Sequence, residues 1–192
     1  MILVMPEGDD SYYVNSATQP RDRFEDYIVN DLIGDVESKF PVLSSRSSRA
    51  IAGISMGGFG AVTLALGHPD LFFFAAAISP ALDVPSRPFS IKRISQWEHY
   101  RSIFGPWGSQ ARQSRDPFLV VRGVDPAKVP YLYLTCGDKE GLLPANRRFA
   151  ALLEGLHYRY EFHVVPGGHD WSQWNQRLPM LLQKLSEYVM AR

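Results

Sequence analysis

Short apolar blocks alternate with longer amphipathic stretches along this chain, and the two patterns predict different elements. MILVM at residues 1–5, stopped by Pro6 and Gly8, predicts a buried parallel strand. Residues 9–20 are polar and turn-rich. Over residues 21–40 the apolar positions are Phe24, Ile28, Leu32, Val36 and Phe40, a spacing that predicts one helix face turned to a core, ended by Pro41. Residues 50–54 predict a second strand, 57–66 a helix ending near His68-Pro69, and 72–78 a third strand broken by Ser79-Pro80. Residues 82–128 hold no clean period. They are rich in Pro, Arg, Ser and aromatics (Phe89, Trp97, Tyr100, Phe104, Trp107, Phe118) and read as a lid or pocket-forming excursion. A fourth strand is predicted at 131–135, a helix at 144–156 opened by Pro144, and a fifth strand at 159–165. A closing helix at 173–190 turns Trp174, Leu178, Leu181, Leu182, Leu185 and Val189 inward. Strand and helix alternate without an internal repeat, which predicts an α/β domain over residues 1–192, with a mostly parallel sheet and helices on both faces. In such sheets the chemistry sits at the carboxyl ends of the strands.

Composition narrows the functional classes. The 192 residues suffice for one domain with a core, and 45% hydrophobic content excludes a disordered chain. Lys+Arg and Asp+Glu are both 20, so the net charge gives no support to a nucleic-acid or anionic-membrane partner. Cys136 is the single cysteine, which rules out an intrachain disulfide and a cysteine-based metal site and fits either a cytoplasm or a periplasm. The five histidines show no metal-pair spacing. The longest apolar run, residues 71–78, is far too short to span a bilayer. Met1 enters an apolar run with no basic region before it and no small-residue cleavage site after it, unlike a signal peptide.

The candidate chemistry starts at AIAGISMGGFG, residues 50–60. Gly53-Ile54-Ser55-Met56-Gly57 fits G-x-S-x-G between an apolar strand and a Gly/Ala-rich helix, the setting in which a sharp turn lifts a serine hydroxyl above the sheet. The Met56 N–H, at a helix N-terminus, would face an oxyanion. A serine needs a base. His169, in the polar turn PGGHDW after the last strand, is the best placed. His68 reads as a helix cap, His163 as a packing residue inside a strand, and His99 and His157 as solvated. A base needs an orienting carboxylate. Asp138 and Glu140, in CGDKEG after the fourth strand, both qualify; two positions apart, only one can reach His169. Asp170 is adjacent to His169 and diverges from it, and Asp83 is a distant fourth. The order Ser55, acid, His169 is the chain order of an α/β-hydrolase triad.

These residues sit in stretches that carry a family resemblance. MILVMPEGDDSYYVNS, FEDYIVNDLIGDVE, AIAGISMGGFGAVTLALGHPDLF, DPAKVPYLYLTCGDKEGLLPANRRF and VPGGHDWSQW together resemble the esterases of the esterase D and antigen 85 group, within the α/β-hydrolase superfamily. The resemblance implies Ser55 as nucleophile and His169 as base. Family members often carry Cys-Gly-Thr-Glu-Asp at the acid turn, which lays Glu140 on the catalytic acid and Asp138 on the threonine. Glutamate serves this role in antigen 85 proteins, so the resemblance favours Glu140, with Asp138 close behind. The family has earlier strands and a His-Gly-rich loop before the strand that resembles MILVMP. By that topology this chain is N-terminally truncated: it lacks a central strand between MILVM and AIAGI, exposes strand edges prone to self-association, and lacks one oxyanion donor, a loss of about 3–4 kcal/mol in transition-state stabilisation.

The resulting expectation is a serine carboxylesterase that forms an acyl-enzyme on Ser55, acts on a small-molecule ester and needs no metal or organic cofactor. Trp171, Trp107 and Phe89 are expected to line the substrate pocket. The rivals are a thioesterase of the S-formylglutathione hydrolase kind or an acyltransferase, which keep the triad and change the leaving group or acceptor, and a non-catalytic binding protein on a hydrolase scaffold.

Overall fold

Four parallel strands run side by side in chain order in the computed structural model, which describes residues 1–88 and 94–190. They are β1 (Ala50–Ile54), β2 (Phe74–Ile78), β3 (Tyr131–Gly137) and β4 (Tyr160–Val165). The register sets Ala50 against Phe74, Phe74 against Tyr131, and Tyr133 against Glu161. Parallel neighbours cannot be joined by a hairpin, so each connection crosses the sheet. α3 (Met56–Gly67) makes the first crossing and α7 (Leu143–Gly155) the last; α8 (Trp171–Met190) follows β4.

Strand alternation decides which helix each side chain meets. Ala75 and Ala77 of β2, with Leu132 and Leu134 of β3, face Val62, Ala65 and Leu66 of α3 and Phe149 and Leu153 of α7. Phe74, Ala76 and Ile78, with Tyr133, face Leu181, Trp174, Leu182 and Leu185 of α8. The sheet is thus covered on both faces, and all five β2 residues are buried. Leu178 and Val189, expected inward, share the α8 stripe yet are exposed: neither joins the cluster that Trp174, Leu181, Leu182 and Leu185 form on the sheet, and among the described residues nothing else covers them.

The predicted helix over 21–40 forms in three consecutive pieces: α1 (Phe24–Asp26), a π-helical turn at Tyr27–Leu32, and α2 (Ile33–Lys39). Apolar positions repeated every four residues drift around an α-helix of 3.6 per turn, and a wider π turn reduces that drift. Ile28 and Val29 are buried on Leu64 and Phe72, whereas Phe40 is exposed.

Residues 1–5 form no strand, and Met1, Leu3 and Met5 are largely exposed. A strand exists only where its N–H and C=O groups find a ladder. β1 is the edge of the sheet, and among the described residues nothing pairs with its outer side.

Within the aperiodic segment lie α4 (Ile94–Phe104), α5 (Gln110–Gln113) and α6 (Pro117–Val120). Arg112, on α5, ties that helix to α4 and to the loop that follows α4. It is buried, donates to the carbonyls of Gly105 (2.9 Å), Pro85 (3.1 Å) and Tyr100 (3.2 Å), and lies 5.4 and 5.7 Å from the ring centres of Trp97 and Trp107. A segment organised around one cation needs no helical stripe, which is why no period is visible in its sequence.

Candidate active site

Each of the four strands ends in a residue that enters one hydrogen-bonded chain. β1 leads into Ser55, β2 into Ser79, β3 into the turn bearing Glu140, and β4 into the loop bearing His169.

Ser55 has φ 55° and ψ −110°, a strained conformation for a residue with a side chain. Its surroundings fix it there: its N–H donates to Ile78 O (2.9 Å), and its carbonyl accepts from Phe59 N (3.0 Å) and Ala81 N (3.2 Å). Two of the neighbouring glycines, Gly53 and Gly58, are needed for room. A Cβ on Gly53 would lie 2.1 Å from the Gly57 carbonyl oxygen, and one on Gly58 would lie 3.0 Å from Pro80 Cβ. Met56 is the first residue of α3, so its N–H is among the helix donors without an intrahelical acceptor.

Ser55 Oγ lies 2.8 Å from His169 Nε2, and His169 Nδ1 lies 2.8 Å from Glu140 Oε2. The carboxylate accepts only, so Nδ1 carries the proton and Nε2 is left to accept from the serine hydroxyl. The Glu140 side chain is fully buried, and that of His169 is 37% exposed. A buried carboxylate is stable only when its lone pairs are taken. Here Oε1 accepts from Gly137 N–H (2.8 Å) and from the Ser79 hydroxyl (2.5 Å). Trp174 packs its ring against His169 edge to face at 4.9 Å and donates its indole N–H to Ser79 Oγ at 3.3 Å. Cys136, buried under the same turn, has its thiol pushed up to about 12, by burial first and then by the Glu140 charge.

Asp138 is exposed and turns away from His169. Its Oδ1 accepts from Gly167 N–H at 3.0 Å, which braces the loop that carries the histidine. Asp170 caps α8 through Ser172 N–H (3.0 Å) and Gln173 N–H (3.1 Å), and Asp83 pairs with Arg87. Trp171 stands 67% exposed with its ring on Trp174, next to His169. Trp107 sits on Arg112, and Phe89 lies outside the described residues. His68 pairs with Glu25 at 2.8 Å, and His99 Nε2 lies 3.2 Å from Asp10 O. His163 differs from the packing role expected of it: it is exposed and pairs with Glu161, because it lies on the outermost strand, β4. Ser79 is the site residue the sequence reading passes over as a strand breaker. The signal was its position, directly after a strand at the carboxyl edge. Among the described residues no group of three or more His, Cys, Asp or Glu is placed to hold a metal, and no helix is long and apolar enough to cross a membrane.

A parallel sheet sandwiched by helices, with a serine at a strained strand-to-helix turn beside an imidazole and a buried carboxylate, defines the α/β-hydrolase class. The family model described as "Putative esterase" matches residues 1–185, and the chain belongs to that family of carboxylesterases. An acetyl esterase of Caldicellulosiruptor saccharolyticus is 28% identical over 96% of this chain and 71% of its own length. The diacylglycerol acyltransferase/mycolyltransferase Ag85A of Mycobacterium leprae is 26% identical over 98% of this chain and 66% of its own. Among solved structures, the fluorophosphonate-binding serine hydrolase FphF of Staphylococcus aureus is 27% identical and superposes with a TM-score of 0.79 over 93% of this chain and 69% of its own. The chain therefore spans roughly two thirds of these relatives' lengths.

Proposed function

We propose that this chain hydrolyses small carboxylic esters through an acyl-enzyme on Ser55. The observation that carries the reading is the unbroken line from Ser55 Oγ through His169 to Glu140, with both links at 2.8 Å. Ser55 Oγ attacks the ester carbonyl while His169 Nε2 takes its proton. Glu140 steadies the imidazolium so formed, and the Met56 N–H donates to the oxyanion. The imidazolium then protonates the departing alcohol. Water attacks the acyl carbonyl while giving a proton to His169, and the imidazolium returns that proton to Ser55 Oγ as the acid leaves. Trp171 and the α4–α6 segment, Trp107 included, bound the pocket in this reading, and residues 1–192 act as one domain. The open edge of β1 offers a route to self-association, which sedimentation of the purified chain would detect.

A thioester or an acyl acceptor other than water would use the same three residues. The acyltransferase name of the M. leprae relative favours keeping the second of these in view. Product analysis with added alcohols separates transfer from hydrolysis.

The decisive experiment is intact mass after treatment with a fluorophosphonate. One adduct, lost in Ser55→Ala, is expected; a folded protein that takes no adduct would sink the reading.

A further inference from the structure

We propose that Ser79 is a positioning residue for Glu140, setting which carboxylate oxygen faces the histidine. The proposal rests on the catalytic reading above and deepens it.

Ser79 is 0% exposed and sits immediately after β2 with φ 52°. A glycine would hold that backbone without strain, so a side chain there calls for a reason. Its hydroxyl has one proton to give. Trp174 Nε1 donates to Ser79 Oγ at 3.3 Å, and an indole N–H can only donate. The serine proton is therefore directed the other way, onto Glu140 Oε1 at 2.5 Å. Gly137 N–H approaches the same oxygen at 2.8 Å, so Oε1 is held by two donors from two different strand ends. That leaves Oε2 as the oxygen that meets His169 Nδ1. Without the hydroxyl, the carboxylate keeps the Gly137 N–H and the weakly donating Cys136 thiol, and it gains room to turn about its last torsion and withdraw Oε2 from the imidazole. The hydroxyl is the second pin.

The backbone carries the same coupling. Ser79 N–H donates to Thr135 O (2.7 Å), and Ser55 N–H donates to Ile78 O (2.9 Å), so the turn bearing Ser79 is tied to both neighbouring strand ends. Ser55 and Ser79 are each the residue directly after a strand, and both have positive φ. One faces the substrate side of the histidine and the other lies behind its carboxylate.

The test uses Ser79→Ala and Ser79→Gly, alone and combined with Glu140→Gln, assayed with p-nitrophenyl acetate. Glycine suits the native φ, so this variant keeps its fold even if alanine does not. Both variants should lower kcat by about tenfold with KM unchanged, the mark of a misplaced group rather than of lost substrate binding. The loss should vanish in the Glu140→Gln background, where no carboxylate remains to be positioned. In parallel, the low-field Nδ1 proton of His169, assigned by its absence in His169→Ala, should move upfield in both Ser79 variants. That readout needs no turnover. Unchanged kcat and an unmoved proton in Ser79→Gly would overturn the proposal, as would a loss that persists undiminished beside Glu140→Gln. If Glu140→Gln itself keeps full turnover, the catalytic reading fails instead.

Discussion

Asp138 and Glu140 stand two positions apart on one turn and serve different partners: Glu140 Oε2 accepts the hydrogen bond from His169 Nδ1–H, while Asp138 Oδ1 accepts from Gly167 N–H. The division gives a sharp expectation. Glu140→Gln presents an amide to the imidazole and should lower kcat by about 10³–10⁴, the scale set by an equivalent change in a serine protease triad. Asp138→Asn keeps an acceptor oxygen for Gly167 and should change kcat less than tenfold by the same reasoning, an estimate of about one order at most. Steady-state kinetics on the two variants side by side checks both.

Gly53 and Gly57 flank Ser55 symmetrically in sequence but not in space. Alanine at 53 would drive its Cβ to 2.1 Å from a backbone oxygen, which no rotamer change relieves. Gly53→Ala should destabilise the fold by about 3 kcal/mol or more. At Gly57 the nearest atom, in the Tyr13 ring, is 3.8 Å away and the position is helical. Gly57→Ala should leave stability unchanged or raise it by about 0.5–1 kcal/mol. Urea denaturation of each variant reads the difference.

The His68–Glu25 pair makes stability depend on pH. The hydrogen bond that His68 donates to Glu25 raises the His68 pKa above the ordinary histidine value, against the opposing effect of burial. The folded protein thus keeps this proton to higher pH than the unfolded chain does. The pair's contribution is fully present below about pH 6.5 and is lost as pH rises through the folded value. Both side chains are about a third exposed, 29% and 33%, so the effect should stay under about 1 kcal/mol. Glu25→Gln should flatten this part of the stability profile, measured as urea midpoints between pH 5 and 9.

Arg112 joins α5 to α4 and the loop after it, and its replacement should loosen that part of the chain rather than the sheet. Arg112→Ala removes the donor from three carbonyls and the cation that packs on two mutually touching indoles. A loss of about 3 kcal/mol is expected. Arg112→Lys should recover little, since an ammonium cannot span the planar fork. A red shift in tryptophan emission at native ellipticity would show the loosening as local.

How much of this is legible in the sequence depends on whether a feature is local. β1, α3 and the Ser55 turn are, because strand, glycines and helix follow one another within a dozen residues, and their steric logic is carried by the string itself. The π turn in the 21–40 helix is half legible: the four-residue spacing points to a helix, and only its departure from 3.6 marks the wider turn. MILVM misleads, since an apolar run records what avoids water and says nothing of whether a partner strand lies beside it. The choice between Asp138 and Glu140 rests on where a turn points two side chains, and the bond between Ser79 and Glu140 joins positions 61 apart. Neither leaves a local trace.

The arrangement of one group per strand end also has a kinetic meaning. Ser55 and His169 are 114 positions apart, with two further strands between theirs. Helices form in about a microsecond, whereas parallel pairing must wait for long loops to close. On refolding, ellipticity should return well before Ser55 can be labelled. Reactivity at that single hydroxyl is therefore a clock for the docking of the last strand, β4 on β3, and it stays silent through every earlier stage of collapse.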